Sequence, residues 1–296
     1  MGIPVSRGYR VFTVLNYGFL GLLALSCLYP LVHVLAVSFS DASILTVRDV
    51  GVIPLGFTTQ PYQQLIIGPV FARALLVSVL RVLVGTVVNM GLTTLTAYPL
   101  ARETSELRGR GVYMWFLVFP LLFSGGLIPT YLWLRQLHLL GRFWVLILPG
   151  AVPVFNVIMM MNFFRGLPKA LYEAALVDGA SHPRVLASIY VPLSKASIAT
   201  LSLFCIVGHW NAWFDALVYI NEPTRLPLQT VMQNLISQTR DLTKIVQQGN
   251  IGALHKLSKK NVTDAAMIIS IVPILLAYPF LQRHFISGVV IGSIKE

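Results

Sequence analysis

Charge is what this chain most lacks. Only 11% of its 296 residues are Asp, Glu, Lys or Arg, and just 11 are acidic; a soluble domain carries about a quarter. With 56% hydrophobic residues and a mean hydropathy of +0.74, a chain so poor in charge has too little polar surface to face water, and it reads as an integral membrane protein. Cysteine is nearly absent as well. Cys27 and Cys205 both lie in apolar runs, which excludes a disulfide framework and Cys/His metal spacing. They read as small packing residues, and no metal site is expected. There is no G-x-x-x-x-G-K-[ST] phosphate loop and no H-E-x-x-H. The chain therefore offers no catalytic residue and does not hydrolyse ATP itself. Internal repeats, low-complexity tracts and a second soluble domain are also missing.

What is present is a set of long apolar runs. Crossing a hydrocarbon core takes about 20 apolar residues, and six stretches qualify: roughly 11–37, 74–101, 112–134, 143–164, 196–220 and 265–282. The expected fold class is all-α, a single membrane domain over 1–296 with six transmembrane helices. The first run follows Arg7 and Arg10 but continues well past Cys27, so it is read as a span rather than a cleaved leader. Prolines scattered through the spans permit kinks where neighbours re-satisfy the freed carbonyls.

Basic residues orient the chain. With the N-terminus inside, Arg7, Arg10, Arg102, Arg108, Arg110, Arg165, Lys169, Arg184, Lys195, Arg283 and Lys295 all fall in cytoplasmic segments, three of them in the short 102–110 loop. Both termini are then cytoplasmic. This placement accounts for part of the formal charge of +11 through contact with anionic membrane lipid; no nucleic-acid partner is expected. Two sizeable loops, about 38–72 and 221–263, lie outside. The second carries Arg225, Arg240, Lys244, Lys256, Lys259 and Lys260 against Glu222 and Asp241. It is either a solvated loop or a surface that meets a binding protein or steers an anionic substrate.

Between the fourth and fifth runs, residues 165–195 form a polar-edged insert. Tyr172–Val177 suits one short helix, and Gly179 tolerates left-handed backbone. Val185, Leu186, Ile189 and Leu193 fall on one face of a second helix. Two short helices at an angle make a foot on the cytoplasmic side. Glu173 sits near a helix start, favoured by the dipole, or pairs with a basic residue of a partner or of the foot. Ala174 and Ala175 are small enough for close approach. Asp178 is placed to cap the following amides.

A second cluster stands out in the fifth run, where His209, Trp210, Asn211, Trp213 and Asp215 crowd an otherwise apolar segment. Polar groups at membrane depth face a bundle interior or water, and a carboxylate there needs a partner. Indole faces stack on sugar rings and Asn or Asp can bond sugar hydroxyls, so a substrate path is one reading. Packing against a second subunit, or anchoring at the outer interface, is the other.

Glu173-Ala174-Ala175, Asp178-Gly179-Ala180, Leu186, Ile189 and Pro192-Leu193 together resemble the EAA loop of bacterial ABC-importer permeases. The runs Ser124–Leu132, Leu146–Gly150, Asn162–Phe164, Val207–Leu217 and Gln282–Gly288 are similar to the carbohydrate-uptake branch for oligo- and polysaccharides, alginate-type importers included. The resemblance implies a type I importer permease in the bacterial inner membrane, with Glu173, Ala174, Ala175, Asp178, Gly179, Ala180, Leu186, Ile189 and Pro192 coupling it to an ATPase. Further implied are a second, non-identical permease, two ATPase subunits that bind ATP and Mg, and an extracytoplasmic solute-binding protein. No cofactor is expected in this chain. The basic outer loop points to an acidic oligosaccharide such as an oligouronide; a neutral sugar, a non-sugar solute and an ion-coupled secondary transporter are the alternatives.

Overall fold

The computed structural model describes residues 7–45, 50–103, 105–247 and 260–293, and among them helix is the regular structure throughout. The chain divides into two compact units, Met1–Pro69 with Met232–Ile271 and Val70–Val231 with Val272–Glu296.

In the first unit, helix α1 (Arg7–Ser38) has no acid in its first turn and no base in its last. Its flanks are apolar on all sides and open, with Tyr17, Leu22 and Leu25 each at least 65% exposed, a surface composition that suits apolar surroundings. Only its end is packed. Ala36, Val37 and Val50 form a small core there. Polar groups stitch it shut: the Ser38 hydroxyl is 2.7 Å from Tyr62 Oη, the Leu55 amide donates to Ser40 Oγ, and Asn261 Nδ2 donates to the Ser40 carbonyl at 3.2 Å.

The second unit is built on α2 (Pro69–Leu100). Seven of its eleven buried positions, Ala74, Ser78, Arg81, Gly85, Asn89, Thr93 and Ala97, recur every three or four residues and are small or polar, with Phe71, Met90, Tyr98 and Leu100 buried beside them, whereas Leu76, Leu83, Val87 and Leu95 are exposed. This inverts the amphipathic rule of water-soluble helices. In lipid, apolar side chains gain nothing by turning inward, and small residues let backbones approach.

The expected spans 112–134, 143–164 and 196–220 are not straight helices. The first is α3 (Arg110–Leu122) and α4 (Leu127–Gln136), bent by 119°. Gly126, at φ +82°, supplies a backbone conformation closed to L side chains. The second is a tight 3-10 stretch, Phe143–Gly150, bent 50° from α5 (Val154–Arg165). Pro149 and Pro153 deny it amide donors. The foot follows as α6 (Lys169–Val177) and α7 (His182–Leu193), and α7 meets α8 (Lys195–Asn211) at 84°. After a break at Ala212 and Trp213 comes α9 (Phe214–Tyr219), then α10 (Leu228–Gln247) and α11 (Lys260–Ser293), which contains the expected 265–282 span. α1 and α2 are each long and apolar enough to cross a membrane alone, and the bent pairs pass only as pairs.

Candidate functional site

Two polar constellations stand out in the second unit. The first is the foot. α6 ends as a Schellman motif: the Ala180 amide donates to the Ala175 carbonyl, the Gly179 amide to that of Leu176, and Gly179 takes φ +76°. The left-handed turn expected at Gly179 is therefore present. The capping expected of Asp178 is not. The two amides it was to bond are taken by main-chain carbonyls, and the exposed Asp178 is simply the residue on which α6 ends.

α7 departs from the expected face in an informative way. Val185 and Leu186 are buried and Ile189 is packed against the same core, but Leu193 is 48% exposed and Tyr190 is buried in its place. Leu186–Tyr190 is a π-helical stretch, whose wider turn shifts the inward face by a residue. Tyr190 meets Phe164 of α5 edge-on at 5.3 Å.

The residues expected to couple thus split in two. Leu186, Ile189, Ala175 and Ala180 contact the core formed with Phe164, Met160 and Tyr172; they hold the foot in place. Glu173, Ala174, Asp178, Gly179 and Pro192 are exposed; they are what the foot presents. With them comes Val177, 88% exposed, beside Leu176 and Leu171, an apolar tip that sequence reading did not single out. Lys169, one turn before Glu173, is engaged by Glu103 of the 102–110 loop. That pairing lowers the Glu103 carboxyl from its ordinary value and raises the Lys169 amine. Glu173 stays on the surface.

The foot is tied to α2 by aromatic and basic groups. Arg110 Nε and Arg165 Nη2 both donate to the Leu100 carbonyl, at 2.8 and 3.3 Å, satisfying the end of α2 where cations are favoured. Arg102 lies over the Tyr172 ring. Burial pushes the Tyr172 phenol up, with the Arg102 charge acting against it. The 102–110 loop and the foot therefore share one end of this unit.

The second constellation is a cavity of about 340 Å³ lined by Arg81, Asn89, Asn156, Phe204, His209 and Asp215 among others. Arg81 is the partner that Asp215 needed. Its two terminal nitrogens grip both carboxylate oxygens, a fork geometry that arginine suits. They also donate to the carbonyls of Ala212 and Leu146 at 3.3 Å. Asn89 donates to the Gly150 carbonyl, and its oxygen lies 3.4 Å from His209 Nε2. Gly85 makes room for that imidazole: a Cβ there would sit 2.4 Å from His209 Nε2.

Of the expected substrate-path residues, the cavity takes His209 and Asp215 only. Trp210 is buried, Asn211 is exposed at the end of α8, and Trp213 packs edge-on against Phe214 at 5.7 Å while its carbonyl accepts from Thr230. Sequence reading missed Arg81, Asn89 and Asn156. An arginine inside the apolar 74–101 run was the available signal. Of the basic segment expected to lie outside, Lys256 and Lys259 fall beyond the described residues, and Lys260 opens α11. Among the described residues no group of His, Cys, Asp and Glu could hold a metal ion.

Comparison with known proteins places this architecture. The polygalacturonan/rhamnogalacturonan transport system permease protein YtcP of Bacillus subtilis is 37% identical over 97% of this chain and 99% of its own length. Protein LplC of the same organism is 40% identical over 98% and 97%. A chain from the crystal structure of a bacterial ABC transporter involved in the import of the acidic polysaccharide alginate superposes with a TM-score of 0.84, at 28% identity, covering 96% of this chain and all of that one. Another chain, from a bacterial alginate ABC transporter in complex with an alginate pentasaccharide-bound periplasmic protein, shares the fold at a TM-score of 0.59 and 16% identity. The description "Binding-protein-dependent transport system inner membrane component" fits residues 66–291. On this evidence the chain belongs to the binding-protein-dependent inner-membrane components, the permease subunits of ABC transporters, with the type I permease fold and no catalytic role of its own.

Proposed function

We propose that this chain is one transmembrane half of an ATP-driven importer for an acidic oligosaccharide, an oligouronide in particular. The observation that carries the coupling role is the foot: a short helix closed by Gly179, anchored by Leu186 and Ile189, with Glu173, Ala174 and Val177 presented outward. Such a surface fits a groove on a cytoplasmic ATPase. Two ATPase subunits bind ATP and Mg, a second, non-identical permease completes the pathway, and an extracytoplasmic binding protein delivers the sugar. ATP binding draws the two feet together, and the bundle alternates between outward and inward access. The chain is one domain with six spans, three of them bent, and its termini and the 102–110 loop are cytoplasmic. The meeting of Arg102, Arg110, Arg165 and Lys169 at one end of the second unit supports that orientation.

The acidic substrate is supported by what the relatives named above handle, polygalacturonan in one and alginate in another, and by the basic residues Lys256, Lys259 and Lys260. The His209–Asn89 pair and the cavity beside it offer hydroxyl-binding groups near the path. The test is ATP hydrolysis by the full complex in lipid with its binding protein. Oligouronides are expected to stimulate it and neutral maltodextrins are not. Stimulation by maltodextrins alone refutes the acidic substrate, and failure of any ATPase to co-purify refutes the coupling foot. Replacing Lys256, Lys259 and Lys260 by Gln should weaken uptake in a salt-dependent manner; unchanged uptake refutes steering by that segment.

A further inference from the structure

Arg102 lies two residues beyond the end of α2. Its guanidinium carbon is 3.6 Å from the centre of the Tyr172 ring, 4.6 Å from Tyr98 and 4.8 Å from Tyr190. Those rings belong to three elements: the last turn of α2, helix α6 and helix α7. Nε and Nη2 of Arg102 are shielded from solvent and make no hydrogen bond among the described residues. Arg102 is half-buried, and withdrawing two nitrogens of a cation from water without a carboxylate is costly; the faces of three tyrosines offset that cost through the negative potential of their π-systems. A planar, weakly hydrated guanidinium suits this arrangement; a compact ammonium does not. The rings also brace one another. Tyr98 and Tyr190 meet edge-on at 5.2 Å, and His182 stacks on Tyr172 while its Nδ1 lies 3.3 Å from Tyr98 Oη.

The arrangement matters because of connectivity. Helices α5 and α8 are joined to the foot by the chain itself, through Gly166–Pro168 and at Ser194. α2 has no such junction and follows the foot only through side-chain contacts. The Lys169–Glu103 pair is open to solvent, and exposed pairs hold weakly. Midway along its length α2 carries Asn89 and Arg81 into the cavity. From Tyr98 to Arg81 the helix is unbroken, a rigid distance of about 26 Å.

We propose that Arg102 is a positioning residue that clasps both helices of the coupling foot to α2, so that movement of the foot is passed along α2 to Asn89 and Arg81 at the cavity. This rests on the reading of the foot as the ATPase-docking element. The test uses the complete complex in lipid, with Arg102→Met, Arg102→Lys, Tyr172→Leu and Tyr172→Phe, and measures sugar moved per ATP hydrolysed alongside basal hydrolysis and subunit stoichiometry. In Arg102→Met and Tyr172→Leu the complex is expected to assemble and hydrolyse ATP at its basal rate, while sugar moved per ATP falls roughly tenfold. Tyr172→Phe keeps the ring face and is expected to stay within about twofold of the native chain; Arg102→Met, which leaves every ring and its packing in place, is the variant that separates the clasp from packing around Tyr172. Arg102→Lys keeps the charge and is expected to fall between.

Full coupling in Arg102→Met, or equal losses in Tyr172→Phe and Tyr172→Leu, overturns the clasp while leaving the foot intact. If Arg102→Met does not assemble, Arg102→Lys decides: it keeps the charge and loses the planar guanidinium, and full coupling in it overturns the clasp. A native complex whose ATP hydrolysis ignores every sugar overturns the functional reading and the clasp with it.

Discussion

Removing the carboxylate of Asp215 tests the energetics of the cavity most directly, because the two members of its ion pair are buried unequally. The Arg81 side chain is 3% exposed and that of Asp215 is 29% exposed. Breaking a buried pair from one side costs about 3–5 kcal/mol, most of it from the charge left behind. In Asp215→Ala the stranded group is Arg81. It keeps two carbonyl acceptors, Ala212 and Leu146, each at 3.3 Å, so the lower end applies and a loss of about 3 kcal/mol is expected. In Arg81→Met the stranded group is Asp215, which retains the Ala216 amide at 2.9 Å and reaches solvent; about 1.5 kcal/mol is expected. Removing both should cost less than Asp215→Ala alone, within about 1 kcal/mol of the native chain, because no charge remains to be solvated. Unfolding free energies measured in bicelles by steric trapping complete the cycle. Equal losses in the two single variants, or a double variant that equals their sum, would refute the unequal-burial argument.

Gly179→Ala places an L residue at φ +76° with nothing within 4 Å of the new Cβ, so it should cost only the left-handed penalty of about 1–2 kcal/mol. A far larger loss of sugar-stimulated ATP hydrolysis in the assembled complex would then report contact with a partner; a proportionate loss would deny it. Gly85→Ala drives a methyl into the His209 ring, and a loss of roughly 1–3 kcal/mol is expected. Adding His209→Ala should recover most of it, and failure to recover would show that the backbone approach, not the imidazole, sets the limit. Neutralising the exposed Lys169–Glu103 pair by Lys169→Met and Glu103→Gln is expected to leave thermal stability unchanged, since exposed pairs contribute little; a marked fall in the melting temperature would count against that.

How much was legible beforehand depended on the range of the signal. The foot was readable because its determinants are local: Gly179 ends a helix by its own backbone freedom, and the Val185–Ile189 face is set by helical period. Its errors were local too. Asp178 looked like a cap because carboxylates cap, yet the Schellman bonds had already consumed the amides. Leu193 lost its place to Tyr190 because a π-turn advances the face, and no residue in Leu186–Tyr190 announces that turn. The Arg81–Asp215 and Arg102–Tyr172 contacts, by contrast, join residues far apart in sequence, and pairing across such distances leaves no periodic trace.

The cavity could have been found by inverting one habit. Soluble helices are read for the face on which leucines recur, and by that reading α2 is apolar all round. Inside a membrane the leucines are what lipid already solvates, so the face that faces protein is marked by what lipid rejects or by what permits close approach. In α2 that rule selects Ala74, Ser78, Arg81, Gly85, Asn89, Thr93 and Ala97, seven of the eleven buried residues of the helix; the other four, Phe71, Met90, Tyr98 and Leu100, are large side chains it does not select. Four of them meet a specific need: Ser78 accepts the Leu228 amide, Gly85 admits His209, Asn89 reaches Gly150, and Arg81 neutralises Asp215. A stripe composed this way has no hydrophobic driving force behind it and is held by directional polar contacts, so a foot that shifts α2 acts on bonds that exchange as units rather than on a core that deforms smoothly.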